Sequence, residues 1–310
     1  MKISQDRNMS GSSLAVADTP DQWLAGYFHT RAHLASRESD FHCNPACTRP
    51  GCRNISILVP VSLVDLLGVA RHCQKSVAAT YQRYYALGLF PHEQNDWIRK
   101  VALRLNKPCP FLEQDLCRIY PVRPLACVLF PEDLVRTGRF EIEAGKELFK
   151  EFLCLRSPML LSPQRAEIVW RIKEMWEREM LISSYYLFNH GRCHLDVSNL
   201  TQEFLQVAAT LGEAGALENP APPNAIPNQV VELFFQKRLA GCQPFAGVGE
   251  KIALLDNREG QGQLLQLFQD DGLMQKLWRK WDDRDLVFRF AKGKLKSTRR
   301  SLLPHEYRFY

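Results

Sequence analysis

The stretch "CPFLEQDLCRIYPVRPLAC", Cys109 to Cys127, sets three cysteines among three prolines and two arginines. Thiols in such a segment are core residues, halves of disulfides or ligands of a metal. Pro108, Pro110, Pro121, Pro124 and Pro131 rule out one long helix, because proline lacks the amide donor and restricts the residue before it. The centre of the chain is therefore read as irregular. Upstream, "CNPACTRPGC" supplies a second triplet, Cys43, Cys47 and Cys52, so six of the ten cysteines form two triplets between residues 43 and 127. Short cysteine gaps joined by turns are what coordination requires, since thiolates must converge to about 2.3 Å from a metal. Prolines leave such a loop less entropy to lose on closing. Arg49, Arg53, Lys107, Arg118 and Arg123 flank the candidates and offset the negative charge of gathered thiolates. They also read as plain surface charges.

The rest of the chain has ordinary soluble composition. Of its 310 residues 45% are hydrophobic and 24% charged. No run of 18 apolar residues would span a membrane. The start, "MKISQDRNMSGSSLAVADTP", has no apolar core of a secretory signal and reads as a disordered tail over 1–20. The expected compartment is the cytoplasm, where cysteines are thiols or metal ligands rather than disulfides. The net charge of +6 is local: Arg289, Lys292, Lys294, Lys296, Arg299 and Arg300 provide it, and without them basic and acidic residues balance at 34 each. This basic tail over 289–300 can meet nucleic acid or another acidic partner, or simply serve as a solvated chain end.

Hydrophobic periodicity predicts mainly α structure. Ser62 caps a helix through "SLVDLLGVARHCQ", with Asp65 in its first turn. "SVAATYQRYYALGLF" reads as a second helix ending near Gly88 and Pro91. "CVLFPEDLVRTGRFEIEAG" reads as a small hairpin turning at Thr137-Gly138, because "FEIEA" alternates. The clearest helix is "SPQRAEIVWRIKEMWEREMLISSYYLF", capped by Ser162 with Pro163 first; Ile168, Ile172, Met175, Trp176 and Glu179 share its spacing. Asp196 or Ser198 starts another. "ENPAPPNAIPNQ", residues 218–229, reads as a Pro-rich loop or linker, followed by amphipathic helices. The expected organisation is a cysteine-cluster domain over 21–217 with long helices, the linker, and a helical segment over 230–310 ending in the basic tail. The fold class is thus mainly α, a helical domain around an irregular cysteine-rich metal-binding centre, with one small β-hairpin.

At "CPFLEQDLCRIYPVRPLACVLFP" the chain resembles the YkgJ-type cysteine-cluster family, whose description offers zinc or iron chelation. The resemblance rests on Cys109, Pro110, Phe111, Leu112, Cys117, Ile119, Tyr120, Arg123, Pro124, Cys127 and Pro131, and covers about residues 41 to 155. It implies that Cys43, Cys47, Cys52, Cys109, Cys117 and Cys127 are metal ligands, with Cys154 as the counterpart of a further family cysteine. The upstream triplet departs from the family's tighter spacing, and Gly51 stands where a paired cysteine is expected. Relatives include a flagellin lysine methylase, similar in the cysteine segment and understood to carry an iron–sulfur cluster. That relation puts an iron–sulfur cluster ahead of zinc as the implied cofactor, although the ferredoxin spacing is absent.

Three functions compete: a metal-binding protein, an iron–sulfur enzyme such as a protein methyltransferase, and a zinc-stabilised interaction module with a nucleic-acid-contacting tail. No Gly-rich loop follows a strand to cradle a nucleotide, and no catalytic side chains can be picked out. Cys73, on a helix, and Cys242 are expected away from the cluster as packing residues. His190, Cys193 and His194 offer a second ligand set, or a chance grouping at a helix end.

Overall fold

The computed structural model describes residues 19–37, 46–92, 95–156, 160–212, 228–278, 285–291 and 294–300. The expected tail before residue 19, most of the Pro-rich stretch and Cys43 lie outside them.

Helices dominate. The first, α1 (Pro20–Ser36), is capped by Thr19; α2 (Pro50–Arg53) is a single turn. The Ser62 cap is a full capping box: its hydroxyl accepts from the Asp65 amide while the Asp65 carboxylate accepts from the Ser62 amide, opening α3 (Leu63–His72). The longest helix, α8 (Pro163–Phe188), starts at Ser162 and stops at Asn189, which takes the left-handed conformation at φ 56°. Between them lie α4 (Val77–Tyr84), α5 (Leu125–Leu129), α6 (Glu132–Arg136) and α7 (Phe140–Ala144). Then follow α9 (Thr201–Leu211), α10 (Asn228–Phe234), α11 (Val248–Ala253), α12 (Arg258–Gln269) and α13 (Asp271–Trp278).

The mainly helical class holds, but it surrounds more β structure than periodicity predicted. A six-stranded mixed sheet is formed by β1 (Pro60–Val61), β2 (Tyr85–His92), β3 (Asn95–Leu105), β6 (Cys193–Asp196), β7 (Asp285–Ala291) and β8 (Lys294–Arg300). A separate two-stranded hairpin joins β4 (Leu112–Glu113) to β5 (Leu116–Cys117). Strand β3 pairs antiparallel with β2 along one edge and with β1 and β6 along the other. Strand β6 runs parallel to β7, so residues far apart in sequence share one sheet.

Four expectations are corrected. The second helix ends at Tyr84 rather than near Gly88, because Tyr85, Leu87 and Leu89 alternate into the core as β2. Gly88 is needed there: a Cβ on it would stand 2.6 Å from Arg104 Cδ, on the neighbouring strand. The expected hairpin at Thr137-Gly138 is instead two short helices, α6 and α7. Glu143 meets Arg139 and Lys146 at 2.9 Å each, four residues back and three ahead, which is helical and not strand spacing. Neither Asp196 nor Ser198 starts α9; Asp196 ends β6 and accepts from the Ser198 amide at 3.0 Å, while Leu200 precedes the helix. The basic tail is a β-hairpin, with Arg289, Lys294, Lys296 and Arg299 exposed and β8 at the sheet edge. Lysines on an edge strand also discourage pairing with other chains.

One large core holds the inner face of the sheet (Val101, Leu103, Leu195, Phe288) against α3, α10 and α11. A smaller core packs Leu125, Val128 and Leu129 of α5 on Ile168, Val169 and Ile172 of α8. Arg31 (α1) meets Asp65 (α3) at 2.6 Å and Glu179 (α8) at 3.4 Å, all buried.

Candidate metal centre

Three short pieces of chain carry four of the predicted cysteines. Cys52 lies in α2, which begins after Arg49, a left-handed residue at φ 57°. Cys109 follows a cis Lys107–Pro108 peptide. Cys117 ends β5, and Cys127 is central in α5.

Local chemistry explains each placement. The β4–β5 hairpin turns at Gln114 and Asp115, at φ 48° and 63°, the consecutive left-handed residues that a tight two-residue hairpin requires. Leu112 is then opposite Cys117, and the Arg118 amide donates to the Phe111 carbonyl at 2.9 Å, so the chain after Cys109 returns to its start. The Cys109 amide donates to the Cys52 carbonyl at 2.7 Å, and the Lys107 ammonium donates to the Gly51 carbonyl. Arg53 pairs with Asp115 at 2.6 Å across the same seam. Both partners are exposed, so this contact contributes little to stability. A Cβ on Gly51 would come within 3.3 Å of the Phe152 ring, so glycine lets α2 pack close. Cys127 is placed differently. The residues one helical turn apart, Leu125, Val128 and Leu129, face α8, and Cys127 packs with Cys109 and Cys117 against the larger core.

The four sulfurs act on one another. Cys52 and Cys109 share a thiol–thiol hydrogen bond, which pushes the Cys52 thiol up and holds Cys109 below the usual thiol value. Burial pushes Cys117 up, and pushes Cys127 up to about 12. The Cys52 and Cys117 thiols add to the rise at Cys127, and Cys52 adds to that at Cys117. Lys107 pulls the thiols down at Cys52, Cys109 and Cys127, against the rise at Cys52 and Cys127 and in line with the fall at Cys109. Two sulfurs also receive backbone hydrogen bonds from residues two positions on: Cys109 from Phe111 and Cys117 from Ile119. Amide donors to sulfur stabilise a thiolate, and hydrogen bonds to ligand sulfurs tune the metal they hold.

Cys43 is outside the described residues. Cys47 precedes α2 and is half-buried. Cys154 lies in a 3-10 turn, Leu153–Leu155, two residues beyond Phe152. Cys242 donates to the Arg238 carbonyl at 3.4 Å. Cys73 follows α3 and, like Cys109, Cys117 and Cys127, is partly buried against the large core. The second ligand set does not converge. Cys193 is in the core on one face of β6, and the alternate residue His194 instead approaches Asp285 at 3.8 Å and the His92 ring at 5.4 Å. His190 Nδ1 is 3.1 Å from the Phe188 carbonyl. Among the described residues, no three His, Cys, Asp or Glu side chains already surround one point as a single ion would require. No described helix is long and apolar enough to cross a membrane.

Sequence reasoning missed the support behind the quartet. Asp65 was legible only as a capping residue, yet its Oδ1 also accepts from Arg31 and from the Leu125 amide, two residues before Cys127. Glu179, an acid on the apolar spacing of α8, was the available signal: it accepts from Tyr27 at 2.9 Å and Ser62 at 2.6 Å.

These features define a class, a domain that carries cysteines on short elements beside a helical core. Residues 42–151 match the model of the CxxCxxCC family, described as a "Putative zinc- or iron-chelating domain". All four cysteines lie inside the matched segment, which spans well under half of the chain. The match supports a metal cofactor and is equally consistent with zinc and iron. No curated protein and no solved structure matches the chain.

Proposed function

We propose that this is a metal-binding protein in which Cys52, Cys109, Cys117 and Cys127 hold zinc or an iron–sulfur cluster. One observation carries the reading. The Cys109 amide donates to the Cys52 carbonyl at 2.7 Å, the Cys52 and Cys109 thiols hydrogen-bond each other, and Cys109, Cys117 and Cys127 pack on the same core. Four thiolates suit a closed tetrahedral zinc site and equally an iron–sulfur cluster. Buried thiols with raised pKa values stay protonated until a cation displaces their protons, so loading releases protons and strengthens with pH. Lys107, together with the amides of Phe111 and Ile119, would offset the negative charge left on the sulfurs. Cys43, Cys47 and Cys154 are proposed as further ligands or exchange partners at the edge of the same centre.

The centre's duty in this reading is structural. It would tie α2, the β4–β5 hairpin and α5 to one point, while the two apolar cores hold the remainder. The test compares Cys117→Ser with Cys242→Ser after anaerobic purification, by metal content, visible spectrum and thermal melting. Cys117→Ser is expected to lose metal and melt at lower temperature, and Cys242→Ser to match the wild type. Structural metal in small modules contributes on the order of 10 kcal/mol; the helical cores here should reduce the global effect to partial loss of structure around residues 41–155. Equal metal in all three proteins would defeat the proposal. A broad visible absorption that bleaches on reduction would identify iron–sulfur, and a colourless, zinc-containing protein the alternative.

A further inference from the structure

Strand β7 lies between β6 and the edge strand β8. The antiparallel register sets Arg289 opposite Lys296 and Ala291 opposite Lys294. Alternation along each strand puts Arg289, Lys294, Lys296 and Thr298 on one face, and all four are exposed. The alternate residues of β7, Leu286, Phe288 and Phe290, are in the large core, and Leu295 packs against it. Three cations therefore stand together on the outer side of the hairpin. Like charges directly opposite each other, with Cβ atoms about 5 Å apart, destabilise a pair of strands. Among the described residues no acid forms an ion pair with any of the three. Asp196, beside Arg289 on β6, is buried and accepts from the Ser198 amide and hydroxyl. Protection of an exposed edge accounts for lysines on β8. It does not account for an arginine on β7, which has a strand on either side.

We propose that this face is a nucleic-acid-binding surface that takes the phosphate backbone of a duplex. Side chains two residues apart on an extended strand lie about 7 Å apart, so Lys294 and Lys296 can each meet a separate phosphate. Arg289 adds a planar fork suited to bidentate phosphate contact, and the Thr298 hydroxyl a further donor of the kind that positions a backbone. The face has no exposed aromatic side chain among the described residues, so it offers no platform on which the bases of a single strand would stack. Recognition is therefore of charge and backbone, without sequence preference. The apolar side chains of the hairpin are turned into the core, which leaves no anchor for a bilayer. The inference does not rest on the proposed metal centre.

The experiment measures binding of the full chain to a short labelled duplex of mixed sequence by fluorescence anisotropy, over a series of salt concentrations. Wild type is expected to bind, and to bind more weakly as salt rises. The triple variant Arg289→Gln, Lys294→Gln, Lys296→Gln is expected to flatten the logarithmic salt dependence by about one for each residue, about three in all. A control variant, Lys75→Gln, Lys237→Gln, Arg258→Gln, removes the same charge from exposed positions outside the hairpin and should keep the wild-type slope. An unchanged slope in the hairpin variant, or an equal loss in the control, would overturn the proposal. Tighter binding of a single strand than of the duplex overturns it as well, as does binding to phosphatidylserine vesicles without binding to the duplex. A second measurement needs no variant: acylation of lysines in the wild type, read by mass spectrometry with and without the duplex. Protection of Lys294 and Lys296 but not of Lys75 and Lys237 supports the surface, and unchanged labelling of Lys294 and Lys296 refutes it.

Discussion

Asp65→Ala should destabilise the protein by about 3–5 kcal/mol, the range for removing one partner of a buried ion pair. Both Asp65 and Arg31 are almost wholly enclosed, at 0% and 4% side-chain exposure. The substitution removes the Arg31 contact at 2.6 Å, the cap on the Ser62 amide at 2.9 Å and the acceptor for the Leu125 amide at 3.3 Å. The guanidinium would then rely on Glu179 at 3.4 Å and the Arg123 carbonyl at 3.3 Å. Because Arg123 and Leu125 lead directly into Cys127, the same change should loosen the cysteine segment, visible as faster amide exchange over α5. Asp65→Asn, which keeps an acceptor but not the charge, should recover part of the loss. An unfolding free energy within 1 kcal/mol of wild type for Asp65→Ala would show that this network is not what joins α1, α3 and α8.

The pH dependence has a definite sign. Burial raises Glu179 from 4.5 to about 7, against the lowering influence of Arg31 and with the help of Asp65. The folded chain therefore holds more protons at this site than the unfolded chain between those values. Stability from this group is greatest at the acid end of that window and falls as pH rises through about 7. Removing Asp65 takes away one of the influences that raise Glu179, so the decline should be shallower in Asp65→Ala than in the wild type.

Arg165→Ala is the second large loss, again about 3–5 kcal/mol. Arg165, in the first turn of α8, pairs with both oxygens of Glu132 at 2.7 and 2.5 Å. It also donates to the carbonyls of Leu34, Arg37 and Ala35 at 2.9, 2.7 and 3.2 Å. Those carbonyls end α1, where a cation complements the helix dipole. One side chain thus fastens α1, α6 and α8. Lysine at this position cannot form the bidentate fork, so Arg165→Lys should recover little. The double variant Arg165→Met with Glu132→Leu should be clearly more stable than Arg165→Ala, since apolar replacement of a buried pair avoids stranding a charge. If the double variant were no better, the loss would come from the α1 carbonyls rather than from the ion pair.

How far the sequence foretold this arrangement depended on whether the determining contacts were local. The caps at Ser62 and Ser162 act within three residues, and both helices start where those signals place them. The alternation in "FEIEA" misled because the Arg139–Glu143–Lys146 contacts favour a helix that a five-residue window cannot distinguish from a strand. The sheet was hidden for the opposite reason. Its parallel β6–β7 pair joins Cys193 to Leu286, and no local pattern announces so distant a partner. At the candidate centre, composition singled out Cys52, Cys109, Cys117 and Cys127 through proline-rich spacing and family likeness. It did not show the hairpin turn at Gln114-Asp115 that returns the chain after Cys109, or how α5 packs against α8.

X-ray absorption at the zinc and iron edges of anaerobically purified protein tests the central claim most directly, because it counts sulfur neighbours. The account predicts one occupied metal type with a sulfur shell near 2.3 Å, four sulfurs per metal for zinc, or cysteine and sulfide sulfurs with a short iron–iron distance for a cluster. It further predicts fewer sulfurs or no metal in Cys109→Ser. A shell of oxygen and nitrogen alone, or an unchanged sulfur shell in that variant, would contradict it.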